Sequence, residues 1–136
     1  MIGGNSRTLD SKAMISIETK DNCTIFRATG TVTANEIMTR AVQYLTGEQT
    51  ETSMWDFSRT TRLNITTLEM KGIADSLKHV STQKRGGKVA LVGSSTINVG
   101  LGKLFSAFAQ MAGLPFRYKS FHRLGQAEAW LADDSA

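Results

Sequence analysis

The sequence predicts one α/β domain on a mixed, mostly parallel five-stranded sheet, in the order β-β-α-β-α-β-α-β-α. Three observations carry that expectation. Two alternating segments lie close together near the start, which favours a hairpin. After them, short apolar runs alternate with helical periods, the pattern of parallel strands joined by right-handed crossovers. One run, Lys88-Val-Ala-Leu-Val-Gly93, is continuously apolar and bounded by glycine, as expected of a strand covered on both faces.

Residues 1–13 are polar and aperiodic and read as a disordered lead, with residues 14–136 as the single domain. Met14-Ile-Ser-Ile-Glu-Thr alternates with period two, Lys20-Asp21-Asn22 is a turn signal, and Thr24-Ile-Phe-Arg-Ala-Thr is a second strand closing at Gly30. Thr33-Ala-Asn-Glu36 is a capping box. Ile37, Met38, Ala41, Val42 and Leu45 then share a helical face that ends at Thr46-Gly47. Met54-Trp-Asp-Phe is a short strand in which Trp55 is expected to anchor the core.

A second capping box, Thr66-Thr-Leu-Glu69, opens a helix with Leu68, Ile73, Ala74, Leu77 and Val80 spaced for one face. After the Lys88–Gly93 strand, Leu101, Leu104, Phe105, Phe108 and Met111 predict a third helix, stopped by Gly113 and Pro115. Phe116–Phe121 alternates as the last strand, and Gln126–Leu131 is a short terminal helix. The layers are expected to be two-layer-like.

Composition narrows the function classes. The chain has 136 residues with 40% apolar content, which suits one packed domain of about 100–150 residues and excludes a disordered chain. No apolar run approaches the roughly 18 residues of a membrane span. The net charge of +4 is spread along the chain. Its densest group, Lys84-Arg85-Gly86-Gly87-Lys88, has no aromatic beside it and reads as a solvated loop, so no nucleic-acid partner is expected. The single cysteine, Cys23, suits a reducing compartment, and the start lacks the apolar stretch of a secretory signal, which together predict a cytoplasmic protein.

The hairpin ending Ala28-Thr-Gly30, then Thr33-Ala-Asn-Glu36, Trp55-Asp56-Phe57-Ser58, Lys88-Val-Ala-Leu-Val, Gly100-Leu-Gly-Lys and the closing Phe121…Ala127-Glu-Ala-Trp-Leu131 resemble the SpoIIAA-like superfamily, which includes the STAS domains. The match spans roughly Met14 to Leu131 and is similar to the uncharacterised SpoIIAA-like branch. The resemblance implies a non-enzymatic regulatory module that binds a protein partner. Anti-sigma antagonists of the superfamily carry a phosphoacceptor motif, Asp-Ser-Ser-Gly-Leu, at the start of the second helix. The corresponding stretch here is Asn64-Ile-Thr66-Thr-Leu68, which makes Thr66 a weak candidate phosphoacceptor and departs from the motif at most positions. The resemblance extends loosely to small lipid-binding domains of similar architecture.

The residues themselves offer little chemistry. Gly93 to Lys103 fails as a nucleotide loop: Ile97 stands where the first glycine belongs and Leu104 where the hydroxyl belongs. His79 and His122 match no triad or metal spacing, so no catalytic residue, metal or cofactor is expected. Asp56 is expected at the end of a parallel strand, the edge where open α/β sheets place ligands. Ser58, Arg59, Ser94, Ser95, His122 and Arg123 follow strands at that edge and form a candidate ligand or partner rim.

The third helix is apolar nearly all round. Leu101, Phe105, Phe108 and Ala109 are therefore a candidate apolar interface, either for self-association or as the wall of a pocket for an apolar small molecule or lipid. An enclosed cavity beneath that helix favours the ligand alternative; an exposed apolar face favours a partner.

Overall fold

The computed structural model describes residues 14–81 and 87–134. The disordered lead expected over residues 1–13, and Lys84, Arg85 and Gly86 of the basic group, lie outside the described residues.

β1 (Met14–Lys20) and β2 (Cys23–Thr33) form an antiparallel hairpin in which Lys20 pairs with Cys23. The two residues between them, Asp21 at φ 52° and Asn22 at φ 60°, both sit in the left-handed region. That geometry matches the right-handed twist of the flanking strands, and Asp and Asn tolerate it better than most residues.

The chain continues through α1 (Ala34–Thr46), β3 (Thr52–Asn64), α2 (Thr67–Val80), β4 (Lys88–Gly93), α3 (Thr96–Ala112), β5 (Arg117–Phe121) and α4 (Leu124–Ala132). The five strands lie side by side in chain order, and β2, β3, β4 and β5 are mutually parallel. The predicted class and element order are those observed.

The faces of the sheet are unequally covered. On one, Phe26, Ala28, Trp55 and Leu91 pack against Ala41 and Leu45 of α1, Ile73 and Leu77 of α2, and Ala109 of α3. On the other, α4 is the one helix among the described residues that packs on Met54, Ala90 and Val92, through Ala127, Trp130 and Leu131. The expected two layers thus gain a partial third, because the chain after the edge strand crosses back beneath the sheet.

Trp55 is the anchor its sequence context predicts. It is 8% exposed and stacks on Phe26 with ring centres 4.1 Å apart and planes 10° apart. Thr24, also buried, shares a 2.8 Å hydroxyl hydrogen bond with Thr50, and Thr50 N–H donates to the Tyr44 hydroxyl at 3.1 Å. The loop between α1 and β3 is thereby tied to the hairpin.

Four expectations need correction. β2 does not close at Gly30 but runs to Thr33, with one register shift between Arg27 and Thr29 and another after Gly30, whose φ of 76° a side chain would resist. β3 does not stop at Phe57; among the described residues its last part, up to Asn64, pairs with β2 alone, since pairing to β4 ends at Phe57 with Gly93. Leu68 is 78% exposed and stands off the packed face of α2, which Met70 joins instead. α3 begins at Thr96, ahead of the expected Gly100 start, because Ser95 caps it. Gly113 in the left-handed region ends that helix, its N–H reaching Ala109 and Gln110 carbonyls.

Lys88 is likewise no part of a solvated loop. It is 6% exposed as the first residue of β4. Its ammonium donates to the Trp130 carbonyl at 2.7 Å and to the Asp133 carbonyl, and lies 5.2 Å from the centre of the Trp130 ring. A buried lysine costs less when its protons are satisfied, and the C-terminal carbonyls of α4 are the negative end of a helix.

Candidate functional site

Parallel strands with sequential crossovers put the carboxyl ends of β3, β4 and β5 at one edge, where α2, α3 and α4 begin. All but one of the rim candidates are at or near that edge. Ser94 and Ser95 are exposed at the β4–α3 junction, and the Ser95 hydroxyl accepts from Asn98 N–H at 3.1 Å. His122 and Arg123 are exposed between β5 and α4, with Arg123 at the N-cap of α4. Arg59 is exposed and Ser58 half-buried on the overhanging part of β3.

Asp56 departs from expectation. It lies inside β3, on the face opposite Trp55, and is 7% exposed. Its Oδ1 accepts from Ser58 N–H at 2.9 Å, a local bond across the point where pairing with β4 ends. Among the described residues no hydrogen bond or ion pair joins Asp56, Arg59, Ser94, Ser95 or Arg123 to one another. The rim is a set of polar side chains on one edge, with no acid–base pair assembled in it.

The residue the sequence reading missed beside Asp56 is Arg27, its register partner on β2. Arg27 is ion-paired across the hairpin to Glu18. Its guanidinium is held further toward the charged form by that bond first, with weaker help from Asp56 and Glu128. Glu18 is correspondingly held below the usual carboxylate range by Arg27. The period-two spacing of Arg27 with Ile25 and Cys23 was the available signal. Burial pushes the thiol of Cys23 up, which suits a packing residue and not a nucleophile.

Thr66 caps α2. Its hydroxyl accepts from Glu69 N–H at 3.1 Å while the Glu69 carboxylate accepts from Thr66 N–H at 2.9 Å. Both residues are exposed. Next to this cap, exposed Leu68 projects from the first turn of α2, and Ile97, 75% exposed, from the first turn of α3. Burying such side chains in a contact gains roughly 1.5–3 kcal/mol each, so a partner that covered both would gain from them.

The apolar-interface candidates on α3 divide. Ala109, expected on a spare face, is instead 1% exposed and sits in the main core, because a small side chain lets the helix approach the sheet closely. Leu101 and Phe105 face inward, where they line a cavity of about 110 Å³ beneath the helix. Phe108 is half-buried, and Met111 is 75% exposed at the far end. Among the described residues no group of three or more His, Cys, Asp or Glu is placed to hold a metal ion, and no helix is long and apolar enough to cross a membrane.

No protein-family model matches the sequence, and no curated protein sequence is similar to it. Solved structures are similar in fold. The anti-sigma factor antagonist SpoIIAA in its unphosphorylated form superposes with a TM-score of 0.51 at 14% identity, over 86% of this chain and 95% of that one. An anti-sigma factor antagonist from Mycobacterium paratuberculosis gives a TM-score of 0.58 at 13% identity, over 90% and 97%. The strand order, the crossovers and these superpositions together give this chain the SpoIIAA/STAS-like fold.

Proposed function

We propose that this domain is a non-enzymatic regulatory module that binds a protein partner with the edge where α2 and α3 begin. The observation that carries the reading is the exposed pair Leu68 and Ile97, set on the first turns of neighbouring helices beside the polar positions Thr66, Ser94 and Ser95. An apolar centre with a polar surround is the common anatomy of a protein interface. The similar solved structures are described as anti-sigma factor antagonists, whose name denotes action on another protein, and this supports the same class of activity here. Thr66 stands at the place where a phosphate would alter that surface, and its exposure supports access to it.

The test is a paired capture and titration. Purified wild-type protein and the double variant Leu68→Glu/Ile97→Glu are compared for bound proteins in extract from the source cells, and any captured protein is purified and titrated. The double variant should keep its thermal midpoint within a few degrees, since both positions are exposed, and lose at least tenfold in affinity. Equal binding by the two proteins would remove this edge from the interface.

A further inference from the structure

We infer that β1 is the seam of a symmetric dimer, in which two copies of this chain pair their β1 strands antiparallel about Ile17 and join their sheets. The sheet ends at β1 on one side and β5 on the other, and among the described residues nothing pairs with the outer side of either. The two margins are guarded differently. β5 is five residues long and carries Arg117 and Lys119 with no acid, so pairing with its own copy about Lys119 would set like charges together. β1 has seven residues, no proline, and one acid against one base. Its acid, Glu18, is already ion-paired to Arg27, and its pairing with β2 runs without a register shift, so no bulge turns the margin away. Ile17 stands opposite Phe26, on the core face of the sheet, yet is 47% exposed.

The strand is complementary to itself. Asp21 and Asn22, both in the left-handed region, make Lys20 and Cys23 the closing pair of a two-residue turn, and such a pair bonds backbone to backbone. Alternation then turns the amide and carbonyl groups of Ile15, Ile17 and Thr19 to the free margin. Antiparallel pairing about Ile17 sets Ile17 on Ile17, Ile15 opposite Thr19, and Ser16 opposite Glu18, and every one of those outward groups gains a partner. On the core face the two Ile17 side chains cover each other. On the far face the Ser16 hydroxyl can donate to the other copy's Glu18 carboxylate. Beside Ile15 a groove runs along α1, with Asn35, Glu36 and Thr39 in its wall. The register brings the other copy's Thr19, small and polar, to that groove. The contact is two-fold and closes on itself, so it stops at two copies.

One short strand from each copy makes a small seam beside a standard interface, so the dimer parts on dilution. It is independent of the protein-binding reading, because β1 is one margin of the sheet while Leu68 and Ile97 stand on α2 and α3.

Sedimentation of the full chain across a concentration series tests the seam. The mean mass should rise toward twice that of one chain. Ile17→Lys, at a half-exposed position, should abolish the rise. Ser16→Lys should tighten the dimer at least threefold by facing the other copy's Glu18, and Ser16→Glu should weaken it at least threefold. Within one copy the signs run the other way, because Ser16 is the register partner of Arg27. The glutamate should raise the thermal midpoint of the dilute monomer and the lysine lower it, so a lost dimer cannot be mistaken for a lost fold. In a Cys23→Ser background, Ile17→Cys should cross-link two copies under mild oxidation, since opposed antiparallel residues lie about 5.5 Å apart at Cα, within reach of a disulfide. Thr19→Cys, set away from its own copy, should not. A constant mass of one chain up to about 1 mM would overturn the dimer, since no affinity of use lies beyond that. A dimer untouched by Ile17→Lys would place the contact elsewhere and overturn the seam. Equal cross-linking at both positions would overturn the register.

Discussion

Replacing Trp55 by alanine removes the largest side chain from a strand whose neighbours are already in place on every side. Trp55 is 8% exposed, so nearly all of an aromatic area of about 200 Å² is out of water. At about 25 cal/mol per Å² that burial is worth roughly 5 kcal/mol, of which alanine retains a small part. Loss of the 4.1 Å stack on Phe26 removes a further increment of about 0.5–1.5 kcal/mol. Against these, the adjoining cavity gives Phe57 and Phe105 space to move inward, and sites that can collapse lose less. The net expectation is a loss of about 4 kcal/mol. For a domain of this length that lowers the thermal midpoint by roughly 15 °C. Urea unfolding followed by circular dichroism measures it, with an unchanged m-value showing that the folded state is the one destabilised. Should Trp55→Ala fail to fold, Trp55→Phe keeps one ring on Phe26 and should lose about 1–2 kcal/mol. A loss under about 1 kcal/mol for the alanine variant would refute the argument that this indole holds sheet and helices together.

Two more expectations concern the caps. Thr66→Ala should cost about 1 kcal/mol in urea unfolding, because Glu69 N–H then loses its acceptor, and Thr66→Ser should restore most of it. Lys88→Met keeps the stem but strands the Trp130 and Asp133 carbonyls, and should cost about 2 kcal/mol. Amide exchange should show that loss first in α4, and uniform loss across the sheet would contradict a local tether.

Much of the fold was legible because it rests on local rules. The capping residues Thr33 and Thr66, the Asp21-Asn22 turn and the Gly113 stop each act within a few residues of themselves. The overhang of β3 was not legible, since Ser-Arg-Thr-Thr-Arg-Leu-Asn has no apolar alternation and is a strand only because β2 pairs with it. Its threonines were the one available hint. On α3 the apolar residues surround the helix, so hydrophobicity could not say which side meets the sheet. Close approach chose Ala109 for the inside, and Ala109→Glu would therefore unfold the domain. Lys88 misled because its partners lie 42 and 45 residues further along the chain. At the candidate site, the polar edge was legible from the strand–helix junctions. The cavity was not, because a void is a property of how side chains from several elements fail to meet.

The order of the strands in space is the order in which the chain is made. No strand has to be threaded between two that have already paired, so each new strand–helix unit can be added at an open margin, at the entropic cost of a local loop. During synthesis from the N-terminus the sheet can grow one margin at a time. Its most exposed moment comes after β4 has docked and before β5 arrives. The Lys88–Gly93 strand then presents unpaired amides beside Val89, Ala90, Leu91 and Val92, a short apolar edge suited to pairing with the wrong chain. Release of the nascent protein before β5 emerges would leave that edge open, so full-length chains should accumulate as monomers under conditions where chains truncated ahead of Arg117 aggregate.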